Sequence, residues 1–287
     1  MPSTDLPIRA ATETLLAHGI TPDRCDVLQD GSTLVLRLTE DLVARVVQDR
    51  SGPRQGTEWF ARENAIAQHL TFNGAPVIPL HPSLPPGPHE HLGYPMNFWK
   101  FVTAVDTAPD PTQAGRKLHQ CHEVMRSFPE PLPALAILTE SLDILKEREL
   151  FPSPVQQNLR DHLVRSIQLL GSLPHQPLHG DAHMGNLMNT TCGLLWTDWE
   201  DTFSGPVEWD LASVICNARL LDNDLNTETQ VLGGYEEAGG RLDHSALDQC
   251  IIARVAVICA WYPILYGGGN PERQAKLERR LAWLGEQ

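Results

Sequence analysis

Three side chains in PLHGDAHMGNLMNTTCGLLWTDWED, residues 177–201, constrain this chain more than anything else in it. Asp181 is followed five residues later by Asn186, and Asp198 comes twelve residues after that. The interval LMNTTCGLLWTD reads as two short strands, about 186–190 and 194–198, joined at Thr191-Cys192-Gly193. A hairpin brings its ends together, so Asn186 and Asp198 are expected to face each other. Asp181 falls on a tight turn that Gly180 and Gly185 permit. Two acids and an amide oxygen then surround one point. Ligands that are all oxygen suit a hard cation such as magnesium, which holds substrate phosphates while keeping waters. An acid slightly apart can take a proton from a hydroxyl.

The 287 residues around this motif divide by pattern. IRAATETLLAHG reads as an opening helix stopped at Gly19. Strand-like pieces follow at 25–29, 33–39 and 42–47, then a helix over TEWFARENAIAQHLTFNG, capped by Thr57 and ending near Gly74. APVIPL and YPMNFWKFVTA read as two more strands around a Pro/Gly/His-rich loop at 81–93. Beyond residue 111 the pattern is helical, at roughly 112–127, 137–150, 154–172, 206–221, 227–238, 244–266 and 271–284, interrupted only by 177–200. The expected class is α+β: a small antiparallel sheet with one main helix, an extended crossing, and a larger, mostly helical part. The boundaries read as 1–98, 99–103 and 104–287. A cleft between two such lobes is a common place for a ligand.

Charge narrows the partners. The chain has 22 basic and 36 acidic residues, for a net charge of −14. Residues 1–100 hold 8 basic against 11 acidic side chains, and 101–287 hold 14 against 25. Nucleic acid and anionic membrane are excluded as expected partners, because phosphate binding needs a basic patch. Six scattered cysteines without a Cys-x-x-Cys pair imply a reducing compartment without a disulfide framework or zinc cluster. The first residues show no signal-peptide pattern, and the most apolar run, CIIARVAVICAWYPILY at 250–266, carries Arg254 and Pro263. A buried core helix is the expectation there, and the cytoplasm the expected location.

Asp-x-x-x-x-Asn, then Asp after a hairpin, resembles the catalytic arrangement of the protein-kinase-like fold. HGDAHMGN followed by TDWED, and GPVEWDLAS after it, resembles the aminoglycoside phosphotransferase and choline-kinase-like branch. Order and spacing agree along nearly the whole chain. The resemblance implies a two-lobed fold and transfer of the terminal phosphoryl group of ATP or GTP, with magnesium, to a hydroxyl of a small molecule. It implies that Asp181 is the base or hydroxyl-orienting carboxylate and that Asn186 and Asp198 hold the metal. His179 would brace the turn, and Asp210 would tie the loop down through hydrogen bonds.

The first lobe should then supply a phosphate cover, a cation and a carboxylate partner. Main-chain amides around Gly31 and Ser32, in LQDGSTL, can approach phosphates; a simple hairpin turn is the plain alternative. The cation position on LVARVV holds Arg45, where protein kinases have lysine; arginine stays charged and grips phosphate with two donors. Phe60, Glu63, Ala67 and Leu70 fall at helical spacing, which turns Glu63 inward. A lone inward acid needs a cation, and Arg45 fits. The crossing near Lys100 and Val102 would contact the base through its main chain, so sequence does not separate ATP from GTP.

The acceptor side is less legible. Glu200, Asp201, Asp222, Asp224, Glu236 and Glu237 would favour an amine-bearing acceptor such as an aminoglycoside, though solvated helix faces explain most of them equally well. Trp261 and Tyr262 read as core. Two other classes compete: a kinase-like nucleotide-binding protein without turnover, and a metal hydrolase using His179, Asp181 and His183 as ligands. The hydrolase reading leaves Asn186 and Asp198 unexplained and has no second His-rich cluster.

Overall fold

The computed structural model describes residues 4–48, 57–266 and 269–287. The chain forms two compact units, residues 1–107 with 188–200, and residues 108–187 with 201–287.

The first unit holds α1 (Asp5–Ala17), β1 (Asp26–Asp30), β2 (Thr33–Arg37), β3 (Leu42–Val47), α2 (Glu58–Phe72), β4 (His89–His91) and β5 (Tyr94–Lys100). The strands form one antiparallel sheet in the order β1-β2-β3-β5-β4. Side chains alternate across a strand. Leu34, Leu36, Ala44, Val46, Met96 and Phe98 therefore share one face, where they pack with Ala10, Ala11 and Leu15 of α1. The register sets Val35, Arg45 and Asn97 abreast on the other face. The helix α2 buries Phe60, Glu63, Ile66, Ala67 and Leu70.

Three expectations change in this unit. APVIPL forms no strand: it contributes only isolated bridges, Val77 to Trp196 and Leu80 to Trp99. Pro76 and Pro79 remove two amides a ladder would use. The short strand β4 lies inside the region read as loop, paired with β5. Thr57 precedes α2 but makes no side-chain capping bond among the described residues.

The hairpin of Leu187–Thr190 and Gly193–Trp196 forms as expected, but residues 188–200 group with the first unit, as do 104–107. Main-chain bonds explain this. Thr191 N–H donates to Thr103 C=O at 3.0 Å, Val105 to Asn189 at 2.8 Å, Trp196 to Pro76 at 2.8 Å and Ile78 to Trp196 at 3.2 Å.

The second unit holds α3 (Pro111–Met125), α4 (Ala136–Glu147), α5 (Ser153–Leu170), α6 (Glu208–Asn217), α7 (Leu225–Glu237), α8 (His244–Leu265) and α9 (Pro271–Leu284). Helix starts are marked by side-chain caps: Asp110 before Pro111, Asp224, Asp243, and Asn270 before Pro271. The expected helix to residue 221 ends as an α-helix at Asn217 and continues as a wider π-type turn over Ala218–Asp222. The helix α8 is apolar on all sides and packs against α4, α5, α6 and α9. It is long and apolar enough to cross a membrane, yet most of it is buried inside this unit, as a core helix is. All six cysteines are free thiols.

Candidate active site

The loop 178–186 is held at its backbone. Gly180 has φ +87°, and a Cβ there would lie 2.0 Å from the carbonyl oxygen of Asp201. Only glycine fits such a position. Asp210, in the first turn of α6 and fully buried, accepts from His179 N–H at 2.8 Å through Oδ2 and from Gly180 N–H at 2.9 Å through Oδ1. His122 of α3 places Nε2 2.9 Å from the same Oδ2, and its Nδ1 lies 2.9 Å from the Tyr235 hydroxyl on α7. Trp209 Nε1 donates to Gly180 C=O at 2.8 Å. The His179 ring accepts from Asp181 N–H at 3.3 Å. His179 thus braces the turn and Asp210 ties it down, and three helices converge to position one short segment.

Asp181 follows directly. Its Oδ1 accepts from Nη2 of Arg254, which reaches it from α8. Its Oδ2 lies 3.5 Å from His183 Nε2 and 3.4 Å from Asn186 Nδ2. Asn186 Nδ2 also donates to the Asp181 carbonyl at 3.0 Å, a bond made across the turn Met184–Asn186. Burial by itself would raise the Asp181 carboxyl, but the Arg254 guanidinium, helped by His183 and His179, overcomes it and holds the group at about 2. Asp181 is therefore a carboxylate at neutral pH.

In the first unit Arg45 is surrounded by acids. Nη1 donates to Glu63 Oε1 at 2.9 Å, Nη2 donates to Glu200 Oε2, and Nη2 lies 3.0 Å from Asp198 Oδ1. Glu63 is fully buried, and Asn97 Nδ2 donates to its Oε2 at 3.2 Å. Asn64 in turn donates to Asn97 Oδ1 at 3.1 Å and to Pro86 C=O at 2.6 Å. Burial pushes Glu63 up to about 8; Arg45 opposes that rise, while Asp198 and Glu200 add to it. One guanidinium thus serves three carboxylates, and burial raises the carboxyl of the most buried of them.

A family model described as "Phosphotransferase enzyme family" matches residues 12–249. The chain belongs to that family. It is accordingly a phosphotransferase acting on a small molecule. No curated protein matches it in sequence. Its fold is shared with solved small-molecule kinases at low identity. Amicoumacin kinase hAmiN, in complex with AMP-PNP, Ca2+ and Ami, is 13% identical with a TM-score of 0.76, over 99% of this chain and 96% of that one. Choline kinase LicA from Streptococcus pneumoniae is 15% identical with a TM-score of 0.68, over 96% and 98%. Spectinomycin phosphotransferase APH(9)-Ia, in complex with ADP and spectinomycin, is 15% identical with a TM-score of 0.63, over 98% and 94%. The protein-kinase-like fold expected from sequence is the fold of this chain.

Each of the two residues expected to hold a metal carries an oxygen of the kind a hard divalent cation takes. Asp198 takes a left-handed backbone, φ +68°, and its Oδ1 is buried without an aligned hydrogen-bond donor among the described residues, although the Arg45 charge is near. Asn186 spends its Nδ2 on Asp181, which turns its amide oxygen the other way. The hydrolase alternative has less support: His183 Nδ1 accepts from Gly185 N–H at 2.9 Å, and His179 is occupied as above. Among the described residues no group of three or more His, Cys, Asp or Glu could hold a metal.

Gly31 and Ser32 form the turn between β1 and β2. The Gly31 amide is spent on Thr33 C=O at 3.2 Å, while Gln48 N–H donates to Ser32 C=O at 2.8 Å. Lys100 N–H donates to Pro79 C=O at 2.9 Å and Phe101 N–H to Asp41 C=O at 2.6 Å, so these amides are not available to a base. Val102 is half-buried.

Sequence reasoning missed Asn97, Arg254 and the position of Glu200. Asn97 could have been found: alternation along β5 places it opposite Met96 and Phe98, on the face of Arg45. Arg254 also carried a signal, since a lone charge inside a buried apolar helix requires a partner. Glu200, read as an acceptor-side acid, is instead a partner of Arg45. Asp224 is a helix cap and Glu237 pairs with Arg116. Trp261 is buried and donates to Ser141 Oγ at 3.0 Å, a core role.

Proposed function

We propose that this chain moves the terminal phosphoryl group of ATP or GTP to a hydroxyl of a small molecule, with magnesium as the metal. The observation that carries the reading is Asp181: an ionised carboxylate on a loop whose backbone is fixed by Asp210, His179 and Trp209. Its role is to accept a hydrogen bond from the acceptor hydroxyl, aim the oxygen and receive its proton. A carboxyl held at about 2 is a weak base for a free hydroxyl. Phosphoryl transfer through a loose transition state asks little of the base early on, so positioning is the larger contribution.

Asn186 and Asp198 would hold magnesium, which when bound helps neutralise the phosphate charge. Arg45 would bind phosphate oxygens, oriented by Glu63 and Asn97. The Gly31–Ser32 turn would lie over the phosphates, and Val102 would contribute the main-chain base contact. The solved relatives support nucleotide and divalent-metal use, since one carries AMP-PNP with Ca2+ and another ADP. The acceptors named for them are chemically varied, so the acceptor class here rests on experiment.

The test is a screen coupled to nucleoside-diphosphate release across aminoglycosides, amino alcohols and sugars, with calorimetry at millimolar Mg-ATP and Mg-GTP. Transfer to one class establishes the reaction and its acceptor. No heat, no thermal shift and no diphosphate release would end the reading. Nucleotide binding without any release would identify a binding protein.

A further inference from the structure

Arg254 has no place in the motif that marks this family's catalytic loop, yet it makes the one side-chain ion pair to Asp181 Oδ1 among the described residues. It projects from the middle of α8, buried with a relative exposure of 8%, among Ala253, Val255, Ala256 and Val257. A guanidinium in such surroundings is costly unless paired. Its Nε is buried without a hydrogen-bond partner among the described residues, and its guanidinium carbon lies 5.8 Å from the Trp209 ring, which itself donates to the Gly180 carbonyl. Arg254 is thus packed against the same indole that helps fix the loop.

Contacts to its amide, its carbonyl and its carboxylate divide the freedom of Asp181 between them. The His179 ring holds its amide, Asn186 holds its carbonyl, and Arg254 holds Oδ1. The backbone contacts leave χ1 and χ2 free; the ion pair from Arg254 to Oδ1 is the closest of the side-chain contacts that restrict rotation of the carboxylate. Oδ2 then stands at longer range from His183 and Asn186, at 3.5 and 3.4 Å.

Resting on the phosphotransferase reading above, we propose that Arg254 is a positioning residue: it occupies Oδ1 of Asp181 so that Oδ2 alone is presented to the acceptor hydroxyl. It touches neither nucleotide nor acceptor in this role and acts only through Asp181. Arginine matters beyond its charge, because its length and the direction of Nη2 set where Oδ1 is held, which a lysine ammonium would not reproduce.

The experiment compares Arg254→Met, Arg254→Lys and Asp181→Asn, singly and as the double variant Asp181→Asn with Arg254→Met. Hydrolysis of Mg-ATP with water as acceptor is measured beside nucleotide affinity and thermal melting. Arg254→Met should lower kcat roughly 10- to 10²-fold, the scale of a misplaced reacting group, and leave the nucleotide KM within about twofold, as expected when uniform binding is untouched. Arg254→Lys, which keeps the charge if methionine impairs folding, should lose less. The double variant should be no slower than Asp181→Asn. A folded Arg254→Met or Arg254→Lys protein with wild-type kcat, a rise in nucleotide KM alone, or losses that multiply in the double variant would each overturn the proposal. A wild-type protein that releases no nucleoside diphosphate either with water or with any acceptor in the screen would instead remove the functional reading on which it rests.

Discussion

Arg45 Nη1 lies 2.9 Å from Glu63 Oε1, joining the middle of β3 to an inward position of α2. The same guanidinium meets Asp198 and Glu200, so removing it leaves three acids without their shared cation. Breaking a buried pair from one side typically costs about 3–5 kcal/mol. Arg45→Met should therefore lower stability at pH 7 by about 3 kcal/mol. Urea denaturation of the variant beside wild type measures the difference.

Glu63→Gln should behave differently. The folded protein holds Glu63 near 8, above its unfolded value, so the folded state binds the extra proton. This acid therefore favours folding below its unfolded value, and that contribution is lost as pH rises toward 8. Glutamine resembles the protonated acid, so the variant should melt close to wild type at neutral pH and show a flatter profile between pH 5 and 8. Its catalytic effect should be a higher nucleotide KM, with the acceptor KM changed less. A larger effect on the acceptor would remove Glu63 from nucleotide binding.

Asp181 has the opposite sign. Its folded value of about 2 lies below the unfolded one. The stability it contributes is complete above about pH 5 and is lost as pH falls from about 4 to 2. By linkage that contribution is about 2 kcal/mol at neutral pH. Asp181→Asn should destabilise the protein at pH 7 by that order and hardly at all near pH 2. The same change should lower turnover by at least roughly 10²-fold while keeping nucleotide affinity.

Asp198→Ala should act on metal-dependent affinity. Nucleotide titrations with and without magnesium should show the magnesium-dependent gain in wild type and lose most of it in the variant. Equal and small effects of Asp181→Asn and Asp198→Ala would contradict the division of roles.

Asp210→Ala removes the acceptor for two buried amides and for His122. Buried donors left unpaired cost about 1–3 kcal/mol each, so a loss of roughly 3 kcal/mol is expected. Hydrogen exchange should show the Gly180 amide losing protection, with turnover falling because Asp181 is no longer held. Full protection at Gly180 in the variant would show that the loop is fixed by other means.

Local pattern was enough for much of this protein. Period-two alternation in β2 and β3 and period-three-to-four spacing in α2 identified the elements, because each repeats the geometry of a surface that must be buried on one side. The same spacing turned Arg45 and Glu63 inward, and the motif from Asp181 to Asp198 was readable because its residues are close in sequence. Tertiary structure decided what depends on residues far apart in the chain. Arg254 meets Asp181 from 73 positions away, His122 reaches Asp210 from 88 away, and Glu200 reaches Arg45 from 155 away. Each isolated charge declared that it needed a partner, since burying it alone is prohibitive. Which partner it found was set by helix packing and strand register, and these bring together residues that no local spacing connects.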